Sequence, residues 1–308
     1  MCGIPTEPPL ARVHEELDKL NVQSIIFNQR HFDRIHFVFE IFNGRVTGRI
    51  TIDGISHQLE EISGVYIRLM DDRLLPEVRR EPPNSERRLH CRALHDALIH
   101  WCNIAPNRIV NRPVSMASNS SKPYQAQIIS KLGFDIPETL ITNEPALVRQ
   151  FAERHGRIVF KSISGIRSMV DTLKEKDTQR LEAIRWCPVQ FQEFIEGYNV
   201  RVHVIGGEAY AASIMTDAID YRYAHRQGHG DAEMKPFVLT DELEDRCIRL
   251  CKTLDLFFGG IDLKITPNNR VYCFEVNPSP AYNYFEGGTG QPIARALARL
   301  LLGSENTQ

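Results

Sequence analysis

The sequence predicts an α/β protein in which an N-terminal α/β unit precedes a longer alternation of helices and strands. Three observations carry that expectation. Leu10, Val13, Leu17 and Leu20 repeat at helical spacing after Pro8 and Pro9, and the apolar run QSIIF at 23 to 27 follows as a buried strand. Asn43-Gly44 and Asp53-Gly54 punctuate residues 36 to 60 as the hairpin turns of an antiparallel meander. From residue 121 onward, helical periods and short apolar runs alternate regularly.

The chain has 308 residues, enough for two or three packed units. Hydrophobic residues make up 42% and charged residues 25%, with a formal net charge of -2, which excludes a polybasic nucleic-acid surface. The seven cysteines stand in hydrophobic contexts without paired CxxC spacing, a pattern that suits a reducing cytoplasm. No apolar run is long enough to span a bilayer, and MCGIPTEPPLARVHEEL lacks the character of a signal peptide. The expectation is a cytoplasmic protein with neither membrane nor nucleic acid among its partners.

Only Met1 to Gly3 precede the first helix, so the strand that ordinarily opens such a unit is expected to be truncated. GVYIRLM at 64 to 70 reads as a strand, with Arg68 either facing a ligand or, more plainly, in a surface salt bridge. A helix follows over 85 to 102. It carries His90, Cys91, His95, His100 and Cys102, but successive five-residue histidine steps rotate by about 140°, so the imidazoles share no face. Ordinary packing is the better reading, and no structural zinc is assigned. Pro106, Asn107 and Arg112-Pro113 then mark a boundary that sets residues 1 to 114 apart.

Beyond it, a helix from about Lys122 to Leu132 stops at Gly133, IPETLIT leads into a strand, and Thr142 or Asn143 caps a helix through His155. RIVFK is a strand, SISGIRS a polar turn and MVDTL a half-buried strand. A short helix near 176 to 186, the strand VQFQEFI and the pair NVRVHVIGGEAYAASIM turned at Gly206-Gly207 come next. The polar residues 217 to 233 read as an active-site loop. Leu243, Cys247, Cys251 and Leu254 form one stripe of a helix over 240 to 254, which makes both cysteines core residues. Strands GIDLKIT and RVYCFEVN and a helix from Gln291 to Leu302 close the chain.

The chemistry concentrates in FFGGIDLKITPNNRVYCFEVNPSPAYNYFE. Asp262 lies on one strand, and Glu275 and Asn277 return on the next with the two-residue spacing that puts them on a common face. Hard oxygen donors of this kind suit magnesium rather than zinc. Surface ion pairs are the plainer alternative. The apolar flanks Phe257, Phe258, Ile261, Phe274 and Val276 argue for strands within a core, where carboxylates need a metal or cations.

This pattern resembles the closing metal-binding motif of the ATP-grasp superfamily, and GGIDL with EVNPSP is similar to the version in RimK-like ligases and microviridin-type peptide maturases. The resemblance covers roughly residues 115 to 305. It implies an ATP-grasp fold behind a pre-grasp α/β domain, divided into 115 to 190, with the lysine pair and phosphate loop, and 191 to 308, with the adenine hinge and magnesium site. Lys122 and Lys161 match the two nucleotide-binding lysines, and SISGIRS resembles a reduced phosphate-covering loop in which backbone N–H groups of Ser162 and Gly165 meet phosphate. QFQEFIEG resembles the adenine hinge, implying backbone contacts from Glu193 and Ile195. Asn199 stands where relatives often hold ribose hydroxyls with an acid.

Arg201 matches the strand arginine that faces phosphate or the developing oxyanion, with a cross-strand salt bridge as its plainer role. DYRYAHRQG resembles a basic active-site loop, which implicates Arg222 and Arg226 in γ-phosphate and substrate contacts. The resemblance thus implies ATP and Mg2+ as cofactors and a ligase that joins a carboxylate to an amine through an acyl phosphate. A peptide substrate is favoured through the maturases alone, and a homodimer is common among such ligases. The rival enzyme is an ATP-grasp kinase that phosphorylates a small metabolite. A nucleotide-binding regulator with degenerate catalysis is the rival of another class, suggested by Asn199 and the sparse glycine of SISGIRS.

Overall fold

The computed structural model describes residues 1–162, 170–174, 177, 180–215 and 233–303, and four sheets organise these described residues. The first is parallel, in the order β2 (Phe27–Asn28), β1 (Cys2–Gly3), β6 (Gly64–Arg68), β7 (Arg108–Val110). The opening strand therefore exists. It is two residues long, and it lies between β2 and β6 with the Met1 ammonium donating to the Ile25 carbonyl at 2.7 Å. The QSIIF run contributes only Phe27 to a strand, less than its apolar character suggests, because β1 gives β2 just two residues to pair with.

Helix α1 (Pro8–Lys19) follows β1 and buries Leu10, Val13 and Leu17. The meander is present as β3 (Ile35–Phe42), β4 (Arg45–Ile52) and β5 (Ile55–Gln58), and both Asn-Gly and Asp-Gly turns have positive φ at each residue, as a type I′ turn requires. Helix α2 (Glu86–Ile104), capped by Ser85, which accepts from the Arg88 N–H at 3.3 Å, packs Leu98, Trp101 and Cys102 into the core beneath this sheet. Cys91 is buried there too. His95 has Asp96 as its near neighbour at 3.4 Å.

After α3 (Pro113–Met116) comes α4 (Lys122–Lys131). The next sheet is antiparallel, in the order β10 (Asp171–Thr172), β9 (Ile158–Ser162), β11 (Val189–Glu193), β8 (Thr139–Thr142). Helix α5 (Pro145–His155) covers one of its faces with Val148 and Phe151 against Ile158 and Phe191. Of the helix expected near 176 to 186, Leu181–Trp186 form a 3-10 turn, while 176, 178 and 179 lie outside the described residues.

The largest sheet is antiparallel, ordered β14 (Glu233–Phe237), β13 (Glu208–Met215), β12 (Tyr198–Ile205), β15 (Phe258–Ile265), β16 (Val271–Asn277). Its apolar face, with Val200, Val202, Val204, Ile261, Leu263 and Val276, packs on Leu243, Cys247, Leu250 and Cys251 of α6 (Asp241–Thr253). The stripe expected of that helix is the one it buries. Strand β14 and helix α7 (Asn283–Thr289) had no counterpart in the sequence reading, since EMKPF and NYFEGGT show neither periodicity cleanly. Helix α8 (Ile293–Leu302) joins α1, Tyr66 and Phe258 in a core shared by the first and last sheets.

Asn111, at the end of β7, is buried and spans that junction with its side-chain amide. It accepts from the Phe258 N–H at 3.0 Å and donates to the carbonyls of Phe258 and Pro278, each at 2.6 Å. Asn111→Ala leaves those three backbone groups without their partner in a dry setting, so a loss of about 3 kcal/mol in unfolding free energy is expected, with Tm lowered to match. Urea titration followed by circular dichroism measures it, and an unchanged midpoint would contradict the role.

Candidate functional site

One face of the large sheet is polar because its residues alternate with the apolar set above. Register aligns the polar members across strands: Arg201 on β12 lies opposite Asp262 on β15, and Asp262 lies opposite Glu275 on β16. Asn277 and Gly260 form the next pair, and Asn199 faces Lys264. The shared face expected for Asp262, Glu275 and Asn277 is thus present.

Each acid of this row holds a cation. Arg201 donates through Nη1 to Asp262 Oδ1 at 2.6 Å, and Lys122 donates through Nζ to the Glu275 carboxylate. All four side chains are largely buried, with 6% of Arg201 and 13% of Lys122 exposed. The cross-strand salt bridge considered for Arg201 is therefore real, and Lys122 reaches the same row from the first turn of α4. Gly260 makes room for this arrangement: a Cβ there would stand 2.1 Å from Arg201 Nη2. A larger residue in GGIDL would push the guanidinium off Asp262.

Gln125, one turn along α4 from Lys122, is a residue that sequence reasoning missed. Its buried amide donates to the Val276 carbonyl at 2.8 Å and accepts from the Val276 N–H at 3.0 Å, gripping β16 between Glu275 and Asn277. A glutamine in QAQIISK gives no hint of a partner 151 positions away. Lys264 was also missed, although its two-residue step from Asp262 was a usable signal. It donates to the Ile195 carbonyl at 3.2 Å and lies 5.4 Å from the Phe194 ring centroid. Burial pushes its ammonium below the ordinary lysine value, and nearby Arg157 adds to the shift.

His203, two residues beyond Arg201, is fully buried beside the rings of Phe258 and Phe285, and desolvation holds its imidazole well below its usual value, assisted by Arg201. It is a neutral core residue. Asn277 Oδ1 accepts from the Ser279 N–H at 2.9 Å, which leaves an amide oxygen with further lone-pair capacity on the same face.

Lys161 lies on the other sheet, on β9 opposite Gln190, and is 8% exposed. Ser162 ends that strand; Gly165 lies outside the described residues, as do Arg222 and Arg226 with nearly all of the expected active-site loop. Glu193 ends β11, where its N–H donates to the Glu138 carbonyl at 3.1 Å and its carboxylate accepts from the Glu138 N–H at 2.8 Å. Ile195 is buried, and its link to Lys264 joins the passage after β11 to the large sheet. The structure thus brings Lys122, Asn199, Arg201, Asp262, Glu275 and Asn277 to one sheet face, with Lys161, Ser162 and Glu193 on the neighbouring sheet.

Two opposed carboxylates and an amide oxygen fit magnesium by donor chemistry, since all are hard oxygens and none is a thiolate or imidazole. The cations already beside them are of the kind that pair with phosphate.

Comparisons with known proteins agree with this geometry. The RimK-like ATP-grasp domain matches residues 119–301, more than half of the chain. A probable alpha-L-glutamate ligase of Shewanella amazonensis is 27% identical over 199 residues, covering 61% of this chain and 65% of that protein, so the match spans just under two thirds of the relative. Among solved structures, a RiPP-associated ATP-grasp ligase of Chryseobacterium gregarium, in complex with ADP and a leader and core peptide, superposes with a TM-score of 0.82. It is 21% identical, over 99% of this chain and 96% of that one, and shares the fold. The ATP-grasp ligase PsnB, complexed with minimal precursor, Mg and ADP, gives 0.77 at 25% identity over 98% and 95% of the two chains. With the polar row, its counter-cations and the domain match in agreement, this chain belongs to the RimK-like ATP-grasp family.

Proposed function

We propose that this chain, a member of a ligase family, joins a carboxylate to an amine at the expense of ATP, through an acyl phosphate. Residues 1–114 form its pre-grasp unit, and 115–190 and 191–308 are the halves that enclose the nucleotide. The observation that carries the reading is the row Arg201, Asp262, Glu275 and Lys122, in which oxygen donors for a cation and ammonium or guanidinium groups for phosphate share one face. Magnesium, held by Asp262, Glu275 and Asn277, supplies neutralisation of phosphate charge when bound.

Lys161 and Lys122 pair with phosphate oxygens, and Arg201 faces the charge that develops on the transferred group. Backbone groups of Glu193 and Ile195 hold the adenine edge, Asn199 the ribose hydroxyls without charge, and N–H groups of Ser162 and Gly165 the terminal phosphates. Arg222 and Arg226 complete the contacts to γ-phosphate and carboxylate. In the first step a carboxylate oxygen attacks the γ-phosphorus and the bond to ADP breaks. In the second, the amine nitrogen attacks the acyl carbon, loses its proton, and inorganic phosphate leaves with the carbonyl-side oxygen it gained. No protein nucleophile enters either step.

A peptide is favoured as a substrate, supported by the likeness to PsnB with its minimal precursor. A cytoplasmic location is supported by the seven free cysteines. No described helix is long and apolar enough to cross a membrane. Family resemblance alone supports a homodimer.

The proposal predicts that magnesium strengthens ADP or ATP binding and that Glu275→Gln abolishes most of the gain. Calorimetric titration with and without the metal checks this, and equal affinities throughout would remove the metal assignment. Lys161→Met keeps the side chain's length and deletes its charge, so turnover should fall at least about tenfold while Tm moves little. Normal turnover in a normally folded variant would place Lys161 elsewhere.

The decisive experiment supplies ATP, magnesium and pools of amino acids and short peptides, with the carboxylates labelled with heavy oxygen. One label should appear in the phosphate released as the amide forms. Substrate-dependent turnover without that transfer would defeat the acyl-phosphate route, and a stable phosphorylated metabolite would mark a kinase.

A further inference from the structure

We infer that Arg68, from the N-terminal sheet, is a positioning residue that presets the proposed metal ligand Asn277, an inference that rests on the magnesium reading above. Arg68 is not the exposed ion pair its place near the end of a strand suggests. Its side chain is 8% exposed, and all three guanidinium nitrogens have partners. Nε donates to both Glu7 carboxylate oxygens at 3.0 and 2.9 Å, and Nη2 to Glu7 Oε1 at 2.6 Å. Nη1 donates to Ser279 Oγ at 3.0 Å and to the Pro280 carbonyl at 3.2 Å, with the Tyr66 hydroxyl at 3.5 Å. A guanidinium so fully engaged has a fixed place and little left to offer a ligand.

What it fixes is the turn after β16. Ser279, held through its hydroxyl by Arg68, donates its own N–H to Asn277 Oδ1 at 2.9 Å. The same turn is held at Pro278 by Asn111 and at Tyr282, whose hydroxyl donates to the Pro9 carbonyl at 2.7 Å. The pre-grasp unit therefore grips the turn at Pro278, Ser279, Pro280 and Tyr282: Asn111 holds the carbonyl side of the peptide whose N–H meets Asn277, and Arg68 holds the side chain and the following carbonyl beyond it.

The chemistry of the three proposed ligands explains why Asn277 needs this. Asp262 and Glu275 carry charge that draws a cation to them, and each is steered by its own counter-cation. An amide oxygen has no net charge, so its contribution depends on being aimed beforehand. One lone pair of Oδ1 takes the Ser279 N–H, and that bond sets the direction of the other.

Arg68→Lys keeps the charge beside Glu7 and loses the fork that reaches Ser279 and Pro280. Calorimetric titration of ADP across a magnesium series, in the full chain, should show half-saturating magnesium raised about tenfold, while ADP binding without metal stays within about twofold of wild type. Ser279→Ala, a smaller change that keeps the N–H to Asn277, should move the magnesium dependence the same way by about threefold and decides the matter if Arg68→Lys does not fold. A loss of metal-free ADP affinity equal to the loss with metal would mark Arg68 as merely structural and overturn the inference. So would an unshifted magnesium dependence in both variants while Asn277→Ala shifts it. If Asn277→Ala leaves it unshifted as well, the magnesium reading itself fails.

Discussion

Two carboxylates placed directly opposite each other on adjacent strands are the constraint to which the rest of the site answers. Asp262 and Glu275 are cross-strand partners, a pairing that repels when both are ionised, and partial burial enlarges the cost. The fold meets it by bringing one cation to each from elsewhere: Arg201 from the next strand and Lys122 from a helix that must dock on the sheet's edge. That docking in turn needs Gln125 to satisfy the Val276 backbone, and the guanidinium's place needs the missing Cβ of Gly260. Charge balance thus reaches outward into helix placement and into the glycines of the motif.

The two grasp sheets meet through a short passage that is itself tightly specified. The Phe194 ring has the Arg157 guanidinium 3.6 Å from its centroid and the Lys264 ammonium 5.4 Å from it, so a cation from just before β9 and one from β15 converge on one aromatic. Gly197 follows with φ of +148°, and a Cβ there would lie 2.2 Å from the Ile265 carbonyl oxygen. Only glycine lets the chain pass this close to β15. Glu193 and Ile195, the residues proposed to hold adenine, are held in place by Glu138 and by Lys264 respectively.

Local patterns were readable from the sequence where local physics decides them. The meander with its positive-φ turns, the buried stripe of α6 and the hairpin that aligns Asp262 with Glu275 all follow from period and turn chemistry. The partners of the charges were not readable in this way. Lys122 and Glu275 are separated by 153 residues, Arg68 and Ser279 by 211, and nothing in either neighbourhood specifies the other. Arg68 in particular looked like a surface residue because strand ends are commonly exposed, whereas here another unit's turn covers it. The first strand is as short as the three residues ahead of the helix imply, and two residues suffice because strands on both sides supply the pairing.

Strand β16 is the last strand of its sheet, yet its outer edge is not open. Gln125 occupies both backbone groups of Val276, while Asp135 takes the Cys273 N–H at 2.9 Å and donates its own N–H to the Val271 carbonyl at 3.1 Å. An extended polypeptide therefore cannot lengthen the sheet at these positions by adding itself as a further strand. Any chain that reaches Glu275 and Asn277 has to come across the face of the sheet, where recognition falls to side chains rather than to a backbone ladder.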